Sequence, residues 1–283
     1  MAKGPEAALH LVATPIGAAR DITLRALDIL READVLAAED TRTLRHLMEI
    51  HGVPLAGRTV LPYHDHNGPS MRPRLMAALA DGKSVAYASD AGTPLVADPG
   101  FQLARTAIEE GHVVRAAPGA SAVLAALTVA GLPTDRFLFA GFAPQKQAAR
   151  RTFLSTFGQV PATLVFYESP KRLASMLADM AKTLGETRHL AVCRELTKRF
   201  EEIRRGTICE LAEAYANEPS PKGEVVIVVG PPDGERHNPD DIDDMLRKAL
   251  ETLRIRDAAD AVAQATGLPR RDVYRRALEL KDD

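Results

Sequence analysis

The first half of the chain alternates between short apolar runs and amphipathic segments, and this alternation restricts the possible fold more than any other feature. The segments between the runs place apolar residues at three- and four-residue spacing, which is typical of helices, and most end at Gly52, Gly82, Gly111 or Gly131. Regular alternation of strand and helix predicts an α/β fold with a largely parallel sheet. The runs predict buried strands at residues 9–14, 35–39, 59–63, 84–89, 113–117 and 137–142.

The apolar pattern is lost over residues 143–151, where proline, glutamine and cations predict a linker that runs into a new helix. After the linker the alternation resumes on a smaller scale, with helices predicted at 171–184 and 208–216. We therefore expect an N-terminal α/β domain at 1–143 and a C-terminal α/β domain at 144–234. The strands predicted for the second domain are residues 163–168, 189–195, 200–205 and 224–230.

The last segment, residues 235–283, is predicted to be a helical extension. Its second and third helices, at 257–267 and 269–280, are joined by a turn that contains Gly267 and Pro269. This spacing fits a helix-turn-helix unit and equally fits a helical cap that packs on the second domain.

Composition narrows the class of protein. The 36 Lys and Arg nearly balance 38 Asp and Glu, for a net charge of −2, so the field of the whole molecule does not attract nucleic acid. The two cysteines form no CxxC or Cys/His pattern, which argues against a disulfide framework and a zinc site and favours a reducing cytoplasm. Neither a membrane span nor a signal peptide is expected. His64, Asp65 and His66 alternate along the end of a predicted strand, so a metal site there is not expected.

The chain lacks the Walker A, GxGxxG, HExxH and GxSxG patterns, which weakens kinase, dehydrogenase and hydrolase interpretations together. Instead, five loops rich in Gly and Pro each follow a predicted strand. Ligands of open parallel sheets bind at the carboxyl ends of the strands, so these loops outline one candidate site. The loop sequences are ATPIGAARD, AEDTR, SDAGTPLVADPG, APGASAV and GFAPQK.

The twelve-residue loop at 89–100 is the most informative of the five. Its two glycines and two prolines restrict the backbone and expose amide and carbonyl groups, which suits a zwitterion or a ribose better than a polyphosphate. A plain connecting loop is the alternative. Ser121 is placed to cap the following helix or to line a carboxylate site, and the spacing does not choose between them.

Charged residues also follow several predicted strands. Each cluster has two interpretations. One is structural, as a helix cap or a surface ion pair, and the other is functional, in catalysis or RNA binding. The clusters are AEDTR with Glu39, Asp40 and Arg42, YESPKR with Tyr167, Glu168, Lys171 and Arg172, and RELTKR with Arg194 and Glu195.

Taken in order, the motifs resemble the ribosomal RNA small-subunit methyltransferase I family, within the tetrapyrrole methylase superfamily. The resemblance covers residues 9–230 in eight motifs. It implies two α/β domains of the tetrapyrrole methylase type with the cofactor cleft between them, plus the small helical C-terminal extension. The motifs are VATPIGAARDIT, AAEDTR, SDAGTPLVADPG, PGASAV, GLPTDRFLFAGFAP, FYESPKR, RELTK and KGEVVIVV.

The resemblance also implies a reaction, a cofactor and partners. The family methylates a cytidine 2′-hydroxyl in the decoding region of small-subunit (16S) ribosomal RNA with S-adenosyl-L-methionine. It implies a cytoplasmic enzyme that acts on the small ribosomal subunit, with no membrane partner and no metal, as a homodimer. Ala18 and Ala19 stand where many relatives carry Asn and Gly, so no polar contact is expected from their side chains.

Site residues follow from the same motifs. The cofactor-binding set implied by the family is Thr14, Pro15, Asp90, Gly92, Thr93, Pro94, Val96, Ser121, Ala122, Tyr167 and Glu168. The candidate catalytic carboxylates, among which the sequence does not choose, are Glu39, Asp40, Glu168 and Glu195. The expected RNA-contacting cations are Arg42, Lys146, Arg150, Arg151, Lys171, Arg172, Arg194, Arg271 and Arg275.

Two rival interpretations stay open. A tetrapyrrole C-methyltransferase, acting on a corrin or sirohaem precursor, would share the fold and the cofactor, although AEDTR and YESPKR argue against it. A nucleic-acid-binding module would use the C-terminal helices, with an α/β body that only senses a ligand. Arg270, Arg271, Arg275 and Arg276 support that second rival.

Overall fold

The computed structural model describes residues 5–96, 100–232, 239–266 and 268–282, with the side chains of 239–241 and 281–282 left aside. Two five-stranded sheets and a C-terminal group of three helices make up the described chain. Residues 97–99 of the predicted ligand loop and the predicted boundary at residues 234 and 235 lie outside the described residues. None of the described helices has the length and apolar character needed to cross a membrane.

The first sheet is entirely parallel, as predicted. Its strands are β1 (Leu9–Val12), β2 (Val35–Ala38), β3 (Val60–Pro62), β4 (Val85–Ala88) and β5 (Val114–Ala117), in the order β3-β2-β4-β1-β5. Apolar clusters cover both faces of the sheet, which is why its strands are continuous hydrophobic runs. The helices around it are α1 (Leu24–Glu32), α2 (Thr41–Ile50), α3 (Gly68–Ala80) and α4 (Phe101–Glu109).

Local sequence accounts for most helix ends. The Thr23 hydroxyl and the Asp40 carboxylate accept hydrogen bonds from backbone N–H groups in the first turns of α1 and α2. One start differs from prediction, because α3 begins at Gly68 and runs through Pro73, where the pattern places its first turn. All four glycines predicted to stop helices adopt positive φ, at Gly52, Gly82, Gly111 and Gly131.

The second sheet is mixed. Its strands are β6 (Phe137–Phe142), β7 (Thr163–Glu168), β8 (His189–Arg194), β9 (Glu202–Thr207) and β10 (Val225–Val229). Their order in the sheet is β6-β7-β10-β8-β9, with β6 and β7 parallel and the other pairs antiparallel. The helices α6 (Gln147–Ser155), α7 (Leu173–Leu184) and α8 (Ile208–Asn217) pack with one face of the sheet in a common core.

The predicted division after residue 143 therefore needs correction. Strand β6 pairs with β7, from Phe137 against Thr163 to Phe142 against Tyr167, so it belongs to the second sheet. By sheet membership the division lies before Phe137. An alternation of strands and helices does not reveal which sheet a strand joins, because that depends on long-range pairing.

Helix α5 (Ala122–Ala130) joins the two halves. It follows β5 along the chain, yet its buried residues Val123, Ala126 and Leu127 share an apolar cluster with residues of β7, β8 and β10. A second junction lies between two loops, where the backbone N–H of Ala18 donates to the Thr197 hydroxyl at 3.0 Å. The two halves therefore share one continuous apolar interface beside the carboxyl ends of the first sheet.

The C-terminal helices are α9 (Pro239–Leu250), α10 (Ile255–Thr266) and α11 (Arg270–Asp282). They enclose a small core of their own that includes Leu246, Val262 and Val273. The Arg276 guanidinium on α11 makes a double hydrogen bond to Asp243 on α9, at 2.6 and 2.7 Å. The predicted helical extension is therefore confirmed as a packed three-helix unit.

One predicted RNA contact is instead part of the core. Arg150 is 4% exposed, and its guanidinium lies 2.7 Å from the carboxylate of the fully buried Asp179. Arg151 donates to the other oxygen of Asp179 at 2.6 Å. Burial raises the pKa of Asp179, but the hydrogen bonds from Arg151 and Arg150 outweigh burial and hold it below its ordinary value. Arg150 is therefore not available to a phosphate.

Replacing Asp179 with alanine should leave the buried Arg150 without its counter-charge. We expect the free energy of unfolding to fall by about 3–5 kcal/mol, as when one partner of a buried ion pair is removed. Urea denaturation measures this loss. Asp28→Ala is the matched control, because it removes an exposed pair with Arg31 and should cost less than about 1 kcal/mol. Equal losses for the two variants would contradict a structural role for Arg150.

Candidate active site

A cleft of about 350 Å³ lies where the two halves meet, at the carboxyl ends of the first sheet. The loop after β4 and the start of α5 form one wall, and β6, β7 and β10 form the other. Seven of the residues expected to bind the cofactor line it: Gly92, Thr93, Val96, Ser121, Ala122, Tyr167 and Glu168.

The loop after β4 is held in place by hydrogen bonds to its neighbours. Thr14 and Gly92 exchange two backbone hydrogen bonds of 3.0 Å, and the Thr93 hydroxyl donates to the Ala120 carbonyl at 3.0 Å. Gly92 has a φ of +79°, and a Cβ added there would lie 3.3 Å from the Ile16 side chain. Only glycine meets both conditions without strain.

Four residues of the expected cofactor set do not line the cleft, and two of them, Thr14 and Asp90, instead make hydrogen bonds that hold the loop after β4. Thr14 is 2% exposed, and its hydroxyl donates to the Ser89 carbonyl at 3.0 Å. The Asp90 carboxylate accepts from the backbone N–H of Asp40 at 2.8 Å, which ties the ends of β4 and β2 together. Within the described residues, Pro15 and Pro94 are likewise absent from the cleft walls.

The N-terminus of α5 opens into the cleft. Ser121 occupies the N-cap position with extended backbone angles, but its side chain makes no capping hydrogen bond. Of the two interpretations open from sequence, side-chain capping is therefore excluded in this structure. Ser121 and Ala122 both line the cleft, so the partial positive charge of the helix N-terminus lies at this wall.

The opposite wall is aromatic and apolar. Tyr167 packs edge-on against Phe139 and Phe142, with ring centroids 4.8 and 5.5 Å apart. Burial and the nearby Glu224 raise the pKa of Tyr167, so its hydroxyl stays protonated at neutral pH. Sequence reasoning missed the nine remaining lining residues, of which all but Glu224 are apolar or uncharged and carry no titratable group. They are Ile16, Ala91, Phe142, Ser169, Pro170, Gly223, Glu224, Val225 and Val226.

Glu168 is the only one of the four candidate catalytic carboxylates that lines the cleft. The Ser169 backbone N–H donates to its Oε1 at 2.7 Å, and an Arg172 nitrogen lies 3.2 Å from its Oε2. That Oε2 is buried and has no hydrogen-bond partner among the described residues. Burial raises the pKa of Glu168 against the opposing effects of Ser169 and Arg172. Glu168 therefore lines the cleft while its Oε2 is ion-paired to Arg172 and makes no hydrogen bond among the described residues.

The other three carboxylates have different surroundings. Asp40 caps α2 and pairs with Arg42, whose hydrogen bonds lower the pKa of Asp40 to about 2, so it is a poor base. Glu195 accepts from Lys198 at 2.8 Å, which lowers its pKa as well. Glu39 is half-buried after β2 and outside the cleft walls. The described residues contain no group of three or more His, Cys, Asp or Glu that could hold a metal ion.

Several of the expected RNA-contacting arginines have partners within the protein. Arg172 donates to the carbonyls of Ala143 and Pro144, and Arg194 pairs with Glu202 at 3.0 Å. Together with Arg150, these two need correction as phosphate contacts, because their guanidinium groups are already engaged by carbonyl or carboxylate oxygens inside the fold. Arg42, Arg151 and Arg275 are more exposed but form ion pairs. Within the described chain, the expected cations that are exposed and make no ion pair are Lys146, Lys171 and Arg271.

Comparison with known protein families and solved structures identifies the class of protein that has this fold. Residues 8–212 match the family described as Tetrapyrrole (Corrin/Porphyrin) Methylases, and residues 236–281 match the RsmI C-terminal HTH domain. The fold resembles cobalt precorrin-4 methyltransferase, with a TM-score of 0.60, 19% identity and coverage of 81% of this chain and 97% of that one. It also resembles Thermus thermophilus uroporphyrin-III C-methyltransferase complexed with S-adenyl homocysteine, with a TM-score of 0.52, 21% identity and coverage of 79% and 97%. The chain is a tetrapyrrole methylase by fold.

Sequence relatives define the family within that class. Ribosomal RNA small subunit methyltransferase I of Mesorhizobium japonicum is 51% identical, over 98% of this chain and 93% of the relative. The protein of the same name from Escherichia coli O157:H7 is 40% identical, over 96% and 94%. The chain belongs to the ribosomal RNA small subunit methyltransferase I family, which confirms the resemblance found in its motifs.

The raised pKa of Glu168 predicts a specific pH dependence of stability. The folded protein holds the proton of Glu168 above the ordinary pKa of 4.5, so stability falls as the pH rises from about 4.5 through the raised pKa. Glu168→Gln removes this ionisable group, and the unfolding free energy of the variant relative to wild type should therefore increase as the pH rises above 4.5. Urea denaturation across that range measures the difference. Parallel pH profiles would contradict the assignment.

Proposed function

We propose that the protein transfers a methyl group from S-adenosyl-L-methionine to the 2′-hydroxyl of a cytidine in the decoding region of small-subunit (16S) ribosomal RNA. The observation that carries the proposal is the 51% identity to a ribosomal RNA small subunit methyltransferase I over nearly the whole chain. The cleft at the junction of the halves supports it, because seven of the expected cofactor residues converge there.

The chemistry of the cleft fits the cofactor. Apolar side chains of Ile16, Val225 and Val226 suit the adenine ring, while the Ser121 hydroxyl and the α5 N-terminus suit a carboxylate. The loop at Gly92 leaves no room for a larger residue, as expected where a ligand approaches the backbone closely. S-adenosyl-L-methionine supplies a methyl group already activated by its sulfonium.

The residues of the chain then have two tasks. The cleft walls orient the two reactants, and fixed orientation alone contributes up to roughly 7–11 kcal/mol in favourable reactions. Glu168 lines the cleft, ion-paired to Arg172, and its carboxyl group is the candidate acceptor for a hydroxyl or amino hydrogen of the bound molecules. Asp40, with a pKa of about 2, and the Lys198-paired Glu195 are poorly suited to accept a proton.

Methyl transfer from radiolabelled cofactor tests the function directly. We expect label in unmethylated small subunits, little in deproteinised ribosomal RNA, and none in a tetrapyrrole precursor. Resistance of the labelled position to alkaline hydrolysis identifies a ribose methyl group. Gly92→Val should abolish both transfer and calorimetric binding of S-adenosylhomocysteine. Gly82→Val is the matched control, because it introduces the same strained positive φ in open space outside the cleft.

Two rivals are distinguished by the same assay. Tetrapyrrole C-methylation is supported by the match to the Tetrapyrrole (Corrin/Porphyrin) Methylases family and by fold likeness at 19–21% identity, and label in the tetrapyrrole precursor would favour it. Absence of transfer to every substrate would favour a ligand-sensing nucleic-acid binder. A homodimer and a cytoplasmic location remain predictions of the family resemblance.

The C-terminal helices are proposed to engage RNA and not to take part in the chemistry. Arg271 is exposed on α11 without an ion pair among the described residues, whereas Arg276 is paired with Asp243 and Glu279. Arg271→Ala should raise the KM for small subunits and reduce the salt dependence of binding, because one fewer phosphate is neutralised. Arg276→Ala is the contrasting variant and should mainly lower stability.

A truncation after residue 234 tests the same surface as a whole. It should retain affinity for S-adenosylhomocysteine while weakening subunit binding with a shallower salt slope. An unaltered KM and salt slope would show that the helical unit has no role in RNA binding.

A further inference from the structure

Phe142 differs from the other residues of the cleft wall in its exposure. Its side chain is 58% exposed at the rim, whereas Tyr167 beside it is half-buried and Val225 and Val226 are buried. An aromatic ring that is exposed to solvent at the mouth of a largely apolar cleft has a free surface for contact with a ligand.

A β-bulge directs Phe142 toward this mouth. In the pairing of β6 with β7, Phe139 lies opposite Val165 and Phe142 lies opposite Tyr167, so three residues of β6 correspond to two of β7. On a regular strand, Phe139 and Phe142 would face opposite sides of the sheet. The extra residue places both rings against Tyr167 on the cleft side. Gly141 permits the bulge through its φ of +69°.

The chain directly after Phe142 is fixed. Arg172 donates to the carbonyls of Ala143 and Pro144 at 2.6 and 3.2 Å, while its guanidinium also lies 3.2 Å from Glu168. The ring is therefore presented on a rigid backbone, which lowers the entropy that a binding partner would have to overcome.

Two lysines on the segments next to the ring indicate the class of ligand that contacts it. Lys146 follows Phe142 by four residues, and Lys171 precedes the Arg172 that fixes its backbone. Both lysines are exposed and, within the described residues, make no ion pair. Lys171 directly follows Pro170, which lines the same cleft as Phe142. A solvent-facing aromatic ring with free cations on the adjoining segments is the combination that binds single-stranded nucleic acid, with the bases stacked on the ring and the phosphates on the cations.

We propose that Phe142 is a stacking platform for a nucleobase of the RNA substrate and so positions the strand that carries the target ribose. The proposal rests on the proposed function and adds a residue to it. Phe142 acts on the substrate strand and not on the cofactor, because the enclosed apolar wall is formed by Ile16, Val225 and Val226, deeper than the rim.

Equilibrium binding of unmethylated small subunits to the full-length protein saturated with S-adenosylhomocysteine tests the platform. Phe142→Ala and Phe142→Leu should weaken subunit binding by about 10-fold, in the range expected when one base loses its aromatic partner. Phe142→Tyr, which keeps a ring, should bind within about 2-fold of wild type. Urea denaturation of each variant checks that the fold is retained.

The salt dependence separates stacking from a merely structural effect. Stacking neutralises no phosphate, so Phe142→Leu should lower affinity without changing the slope of log affinity against log salt. Lys171→Ala should reduce that slope by roughly 0.7–0.9. If the Phe142→Leu protein binds subunits with wild-type affinity, the proposal that Phe142 stacks on a nucleobase is wrong.

Weakened binding of S-adenosylhomocysteine by Phe142→Ala would also overturn it, since the ring would then belong to the cofactor wall. Failure of the proposed function looks different, because wild-type protein would then transfer no methyl group to small subunits at all.

Discussion

The packing of α5 against the second sheet is the interaction on which the site depends. The helix belongs to the first half by its place in the chain, but its C-terminal end and its apolar face are fixed by the second half. Arg205 of β9 donates to the carbonyls of Val129 and Ala130 at its C-terminus, and its apolar residues are buried against β8 and β10. Since the helix cannot turn, its uncapped N-terminus at Ser121 stays at the cleft. Apolar packing of α5 against the second sheet thus holds the polar N-terminus of the same helix at the cleft.

Buried charge organises the second half in a similar way. Asp179 holds Arg150 and Arg151, and Glu168 lies against Arg172, so these three arginines fix α6, α7 and the segment after β6. Such pairs cost desolvation on both partners and give little net stability compared with apolar packing, but each is costly to break from one side. Here Arg172 also satisfies two backbone carbonyls next to the cleft, so its main consequence is a fixed backbone at the rim.

Much of the fold could be predicted from sequence because its information is local. Apolar runs mark the strands, and the glycines after α2, α3, α4 and α5 mark helix ends through positive φ. Sheet membership of β6 and the state of Arg150 could not be predicted, because both depend on partners that are distant in sequence. For the site, motif resemblance identified Gly92, Ser121 and Glu168 in the cleft. Local spacing did not reveal that Thr14 and Asp90 support the loop from behind.

The internal pairing of several arginines limits how this chain can recognise RNA. The net charge of −2 and the engagement of Arg150, Arg172 and Arg194 within the fold reduce the electrostatic attraction available to a phosphate backbone. Recognition must then depend more on shape and on stacking, which are insensitive to salt and work on single-stranded regions that already expose their bases. An assembled ribosomal subunit provides such a pre-shaped strand, while free RNA would have to be ordered at an entropic cost. The limited electrostatic attraction for phosphates and the rigid backbone at the cleft rim therefore both favour an assembled subunit over free RNA as the substrate.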